Sequence, residues 1–151
     1  MSHPTLFFYP RPRVDVAEVP ALAHAGAVLL TDTIHATGLA ASLREALDSW
    51  TKPLAEHHSS KVLLDLALTL AIGGEHASDA DLLRCEPDLF GDVASAPTIS
   101  RMLTTLAEDA PAVIEAISNA RRTARERAWT LVGALSPTVG ASVKSPLVID
   151  L

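Results

Sequence analysis

The segment most restrictive for the fold is a leucine-rich stretch at positions 61–72. When it is drawn as a helix, its apolar side chains point in every direction, and a helix that is hydrophobic all round is a buried one. Ser59 or Ser60 can cap its start, and Gly73-Gly74 can end it. The segment therefore predicts a central helix that other helices surround. Its apolar residues are Val62, Leu63, Leu64, Leu66, Leu68, Leu70 and Ile72.

Four further helices are predicted around this centre. One precedes it and is stopped by Pro53, a short one covers residues 79–84, a fourth begins at Ser95 and Pro97, and a long fifth begins at Asp109. For residues 21–36, a hairpin and a helix both remain open. The apolar faces are Leu39, Leu43, Ala46, Leu47 and Trp50 in the first helix, and Ile99, Met102, Leu103 and Leu106 in the fourth. In the fifth they are Val113, Ile117, Ala120, Ala124, Ala128 and Leu131, with Gly133 at its end.

The fold class predicted is mainly α, a bundle of about five helices. Alanine (25) and leucine (22) dominate the 151 residues and aromatic residues are only 4%, which favours helices packed through small aliphatic side chains. Two short β segments complete the prediction, one at Val14–Val16 and one at Leu147–Leu151. The domain boundaries predicted are a helical domain over 1–135, a linker over 136–145 and a strand over 146–151.

Composition excludes several classes of protein. The single cysteine, Cys85, rules out an internal disulfide and fits a reducing cytoplasm. The apolar stretch Val62–Gly74 is too short for a membrane span and is interrupted by Asp65, and the first residues do not form a signal peptide. A net charge of −6 argues against indiscriminate coating of nucleic acid. Residues 75–115 hold nine acids and two bases, whereas residues 118–151 hold five bases and two acids.

Two helices carry candidate DNA contacts. In a helix-turn-helix unit over residues 78–106, Thr98, Ser100 and Arg101 would stand at the start of the second helix, where phosphates or base edges can be met. Simple capping of that helix by Thr98 and Ser100 is the alternative. On the fifth helix, Arg122, Arg125 and Trp129 share one flank, Arg121 borders it, and Arg127 falls opposite. Guanidinium groups around an indole suit a phosphate backbone or a docking partner, and a solvated face with one Arg–Trp contact is the alternative.

Candidate metal ligands occur at two places in the sequence. Glu56-His57-His58 are adjacent in sequence and cannot converge on one ion without a sharp turn, so a solvated loop is the favoured interpretation. Asp150 lies inside the apolar run Leu147–Leu151, where an unpaired buried carboxylate would be costly. The carboxylate of Asp150 would be stable if it binds a metal at the end of a strand, and also if this end of the chain stays in water.

Several motifs, in this order, resemble the amino-terminal region of bacterial insertion-sequence transposases of the DDE type, and more narrowly the family numbered thirteen-eighty. They are Thr37-Gly38-Leu39, Leu70-Ala71-Ile72-Gly73-Gly74, Ser78-Asp79-Ala80-Asp81, Leu83-Arg84, Glu86-Pro87, Pro97-Thr98-Ile99-Ser100-Arg101 and the closing Leu147-Val148-Ile149-Asp150-Leu151. The resemblance covers most of the chain.

The resemblance implies that Leu147–Leu151 begins an RNase H-like catalytic domain, with Asp150 as the first acid of an Asp-x-Asp pattern. It also implies Mg²⁺ held by three acids in the intact enzyme, with Asp150 as one ligand. We expect a truncated transposase that binds transposon-end DNA, assembles with itself or with intact transposase, or does both, without catalysis of its own and without a bound metal. The alternative is a helical interaction module, or a relic that at most dimerises with intact transposase.

Overall fold

The computed structural model describes residues 8–11, 26–136 and 139–142, and they form a bundle of helices. The α-helices are α1 (Ala27–Thr37), α2 (Leu39–Ala46), α3 (Ser59–Ala71), α4 (Asp81–Arg84), α5 (Pro87–Phe90), α6 (Ala96–Ala107) and α7 (Ala110–Val132). Short 3₁₀ turns cover Asp48–Trp50, Ala77–Ala80 and Gly133–Leu135. The mainly α prediction is confirmed, but the helix count of about five is wrong for the described residues, which contain seven α-helices.

The two additional helices have local causes. Most of α1 lies in the segment 21–36, for which a hairpin and a helix were both open. It ends because Gly38 takes a left-handed conformation (φ 70°), which separates α1 from α2. Pro87 starts the single turn α5, since proline is well suited to the first position of a helix. The segment preceding α6 is thus a series of short turns, Ala77–Ala80, α4 and α5, and not the first full helix of a helix-turn-helix unit.

Helix α2 and the 3₁₀ turn after it run antiparallel to α7. Gly38 lies beside the Arg127 side chain at one end, and the indole nitrogen of Trp50 donates to Asp109 Oδ2 at 3.2 Å at the other. Leu47, Leu106 and Val113 form a small buried cluster near this second end. Helix α7 therefore presents one side to α2 along most of its length and leaves the opposite side outward.

Helix α3 is the central helix that the sequence predicts, with two corrections. Val62, Leu64 and Leu68 are buried, but Leu70 is 62% exposed, so α3 is not covered on every side. The amino-terminal cap is His58, whose side chain accepts a hydrogen bond from the Ser60 backbone N–H, and not Ser59 or Ser60. At the other end, Gly74 N donates to Thr69 O at 2.8 Å, and a Cβ at Gly74 would lie only 2.5 Å from the Thr69 side chain.

Both predicted β segments and half of the predicted linker fall outside this description. Val14–Val16, Asp150 and the rest of Leu147–Leu151 lie outside the described residues, and the part of the chain that is described contains no strand. The domain boundaries at 135 and 145 therefore stay predictions. None of the described helices combines the length and the hydropathy needed to cross a bilayer.

Candidate nucleic-acid interface

Helix α7 has one packed face and one outward face. Val113, Ala120 and Ala124 are buried at spacings of seven and four residues, which places them on one side of the helix. The predicted contacts Arg121, Arg122 and Arg125 are all exposed, and each lies away from that side. The alanine seam thus packs within the chain, against α2, and leaves the arginines turned outward.

The outward face combines guanidinium groups with an aromatic ring. The guanidinium carbon of Arg125 lies 5.9 Å from the centroid of the Trp129 ring, within the range of a cation–π contact. Arg127 belongs to the other flank, because its side chain lies beside Gly38 at the junction of α1 and α2. The sequence-based assignment of the flanks is in keeping with both contacts, and the alternative of a solvated face with one Arg–Trp contact also remains.

The first turn of α6 is organised by side-chain hydrogen bonds. Thr98 Oγ1 accepts a bond from Arg101 Nη2 at 3.0 Å and lies 3.1 Å from Ser95 Oγ. Ser95 is the amino-terminal cap residue, but its side chain makes no capping bond to the backbone. Thr98 thus orients the Arg101 side chain, which is a different role from capping the backbone of the helix. Ser100 is exposed and does not join this group.

Arg101 and Thr98 border a cleft whose opposite wall is the loop between the Asp48–Trp50 turn and α3. This cleft has a volume of about 140 Å³, and Lys52 and His57 contribute to its lining. The loop is closed at its base, since Ser59 N donates to Thr51 Oγ1 at 3.2 Å and Ser59 Oγ donates to Trp50 O at 3.1 Å. These bonds join the two ends of the loop to each other.

Sequence reasoning missed Lys52 and His57 as members of this surface. The predicted loop at residues 56–58 is present, with Glu56 exposed to solvent and His57 half-buried. His58 is half-buried, caps α3, and has a pKa lowered chiefly by burial. The available signal was the position of Lys52 and His57 between Thr51 and Ser59, two residues able to close a loop.

Two of the nine acids in residues 75–115 have local partners. Asp79 accepts hydrogen bonds from the backbone N–H groups of Glu75 and His76, each at 2.8 Å, and these bonds lower its pKa. Asp81 pairs with Arg84 Nη1 at 2.7 Å. The negative charge of this region is therefore partly committed to capping and pairing.

Beneath the surface, Tyr9, Lys61 and Asp65 form a buried polar group that the sequence analysis did not foresee. Lys61 Nζ lies 2.6 and 2.7 Å from the two Asp65 oxygens, and the Tyr9 hydroxyl donates to Asp65 Oδ1 at 3.0 Å. Burial raises the pKa of Asp65 to about 6, because loss of water outweighs the opposing effects of Lys61 and Tyr9. Burial likewise lowers the pKa of Lys61 and raises that of Tyr9.

The three side chains of this buried group are paired with one another. Each of its three residues is at most 6% exposed, and the bonds described above join their side chains to one another. The wide cleft above it, about 590 Å³, is also lined by the acids Glu56 and Asp92 and therefore carries mixed charge. The buried group holds the segment 8–11 against α3, and the sequence signal for it was the Lys61–Asp65 spacing of four residues in an apolar helix.

The metal prediction has no counterpart among the residues that the structure describes. They include no group of three or more His, Cys, Asp or Glu side chains placed to hold an ion. Asp150, the predicted catalytic and metal-binding residue, lies outside them.

Comparison with known proteins bears on the resemblance. A protein-family model described as transposase DDE domain, group 1, matches residues 19–151. The search of curated proteins finds no match, and neither does the search of solved structures. The family match spans every described helix and confirms the resemblance to DDE-type transposases.

Proposed function

The chain belongs to the transposase DDE domain family, group 1, and on this premise we propose that its helical body binds the DNA of transposon ends. The observation that carries the proposal is the outward face of α7, where Arg121, Arg122 and Arg125 are exposed on the side opposite the α2 contact. Arginines presented in this way can donate hydrogen bonds to phosphate oxygens without first breaking an internal ion pair.

The contact between Arg125 and Trp129 suits the same role. A guanidinium held over an indole keeps its outward edge available for a phosphate, and the ring limits the conformations that the side chain must lose on binding. On α6, the bond from Arg101 to Thr98 orders a second guanidinium in a comparable way. We assign Thr98, Ser100 and Arg101 to a second DNA contact, in which exposed Ser100 would donate to a phosphate.

Assembly of transposase subunits is a second candidate function, and exposed apolar side chains favour it. Leu131 is 61% exposed and its neighbour in sequence, Val132, is 47% exposed, at the carboxyl end of α7. Large apolar side chains exposed near one another mark surfaces that pack against other proteins. We propose a second copy of this chain or an intact transposase as the partner. The buried alanine seam is not available for that pairing, since Ala120 and Ala124 already pack inside the chain.

The Mg²⁺ assignment follows from the family. Asp150 lies within the matched residues, and we propose it as one metal ligand in an intact catalytic domain, where the ion would activate the attacking oxygen. The described residues contribute DNA binding and assembly to this scheme, and not chemistry.

The DNA-binding proposal is tested by replacing Arg122 and Arg125 together with alanine. Binding of a fluorescent duplex taken from the ends of the encoding element is measured by anisotropy at several salt concentrations. Loss of two phosphate contacts lowers the slope of log K against log salt by about 1.8, since each contact contributes about 0.9. Affinity for a shuffled duplex of equal length should fall in parallel, because phosphate contacts carry no sequence information.

The matched control is Arg127→Ala, which removes the same charge from the same helix but from the flank beside Gly38. Its salt slope should equal that of the wild type. If the double variant also keeps the wild-type affinity and slope, α7 is not part of the DNA interface. Sedimentation of the DNA-free protein tests the second candidate, and a dimer without affinity for either duplex would favour assembly over DNA binding.

A further inference from the structure

We infer that the loop 51–58 and the first turn of α6 together form a phosphate-binding groove, in which Lys52 and His57 join Arg101. The inference deepens the proposed function and rests on it for the identity of the ligand, a DNA backbone phosphate. It assigns a binding role to two residues of a loop outside both predicted DNA-contacting helices.

The groove consists of two adjoining clefts. One, of about 140 Å³, lies between Lys52 and Arg101, and the other, of about 360 Å³, lies between Glu56 and Arg84. His57 lines both, as do Ala55 and Thr98. The two clefts are therefore neighbours along one wall, with the His57 ring between them.

The charge of the groove differs from that of the surrounding chain. Residues 75–115 contain only two bases, Arg84 and Arg101, and both line these clefts. Lys52 adds a third cation, whereas Glu56 is the one acid among the lining residues of the two clefts. Cations from separate segments thus gather at one place on an acidic protein, which focuses a local positive field there.

The two arginines of the groove have different hydrogen-bond partners. Arg84 pairs with Asp81 at 2.7 Å, so its charge is already partly neutralised. Arg101 is held by an uncharged oxygen, Thr98 Oγ1, which fixes its direction and leaves its charge intact. Lys52 and Arg101 line the same small cleft, so an anion bound in it would meet both. Lys52, His57 and Arg101 are the groups that we assign to the phosphate.

The groove is tested by single substitutions on the loop, with the anisotropy assay used for α7. Lys52→Gln should weaken duplex binding roughly fivefold to tenfold at 0.1 M salt and lower the salt slope by about 0.9, the value for one lost phosphate contact. His57→Gln should also weaken binding. Glu56→Gln should strengthen binding, because it removes the acid of the groove. Far-UV circular dichroism and thermal midpoints verify that each variant folds.

Leu54→Gln is the control, since Leu54 belongs to the same loop, is 98% exposed and lines neither cleft. If Arg122→Ala/Arg125→Ala weakens binding while Lys52→Gln and His57→Gln match this control, the groove is overturned and the proposed function stands. If the wild type binds no duplex, the proposed function fails, and inorganic phosphate becomes the probe. Phosphate-dependent shifts of the His57 ring signals in NMR spectra, lost in Lys52→Gln, would then support the groove for free phosphate, and unshifted signals would overturn it.

Discussion

Replacing Tyr9, Lys61 and Asp65 together with Phe, Met and Leu should stabilise this protein at pH 7. The rise of the Asp65 pKa from 3.8 to about 6 corresponds to about 3 kcal/mol of free energy that disfavours the ionised carboxylate in the folded chain. Lys61 shows the matching effect, since burial lowers its pKa despite the two short bonds to Asp65. The buried pair therefore loses more from dehydration than it recovers from attraction.

The expected gain in the free energy of unfolding is about 1–4 kcal/mol for the triple variant, as for other buried ion pairs replaced by apolar residues of similar size. Asp65→Leu alone should instead lose about 3–5 kcal/mol, because Lys61 then stays buried without its counterion. Tyr9→Phe is the control for the hydroxyl and should cost about 1 kcal/mol, the value of one hydrogen bond. Urea unfolding followed by circular dichroism measures all four proteins.

The pH dependence provides a separate measurement. Because the Asp65 pKa is higher in the folded than in the unfolded chain, the folded chain binds more protons between about pH 4 and pH 6. The contribution of Asp65 to stability therefore falls as pH rises through this interval, by up to about 3 kcal/mol. The stability advantage of the triple variant should grow over the same interval. An advantage that stays constant from pH 4 to pH 7, or a triple variant as unstable as Asp65→Leu, would refute the reasoning.

Two further predictions concern local structure. Asp79→Ala should lower the thermal midpoint relative to the exposed control Asp88→Ala, because it removes the acceptor of the Glu75 and His76 N–H groups. These bonds lower the Asp79 pKa below 3.8, so the stabilisation is present above that pH and is lost as pH falls through the pKa of the folded state. Equal thermal midpoints of the two variants at pH 7 would contradict this prediction. Leu47→Ala should cost about 2–5 kcal/mol in urea unfolding, because Leu47 is completely buried against Leu106 and Val113. Leu54→Ala, at a 98% exposed position, should leave stability unchanged, and equal losses in these two variants would show that burial does not set the cost.

Helix boundaries set by short-range signals were predictable from the sequence. Helix α7 follows Asp109, has Pro111 in its first turn and ends at Gly133, as predicted. Proline and glycine act on the backbone within one helical turn, so these helix ends can be predicted without knowing any distant partner. The Asp109 side chain is an exception, since it accepts a bond from Trp50, 59 residues away, and makes no capping bond.

Features that depend on distant partners were not predictable. Ser59 and Ser60 are good caps in isolation, but the Ser59 hydroxyl is bonded to Trp50 O and the Ser60 hydroxyl lies 2.8 Å from the His58 ring. The burial of Lys61 and Asp65 depends on Tyr9, 56 residues from Asp65 in sequence. Lys52 and His57 line a cleft with Thr98 and Arg101, residues more than 40 positions further along the chain.

Among the predicted site residues, too, short-range patterns were predictable and side-chain partners were not. Periodicity alone placed Arg121, Arg122 and Arg125 away from the packed face of α7, which the structure confirms. It could not reveal that Thr98 bonds Arg101, because the choice between a backbone cap and a side-chain partner depends on rotamers. Periodicity also placed Leu131 in the buried seam, whereas it is 61% exposed near the end of α7.

The positions of the two tryptophans give each surface its own optical label. Trp50 lines the cleft beside Arg101, and Trp129 lies under Arg125. The chain contains no other tryptophan. Phenylalanine at either position leaves a single indole, so changes in its emission during a titration would identify which of the two surfaces a ligand has reached.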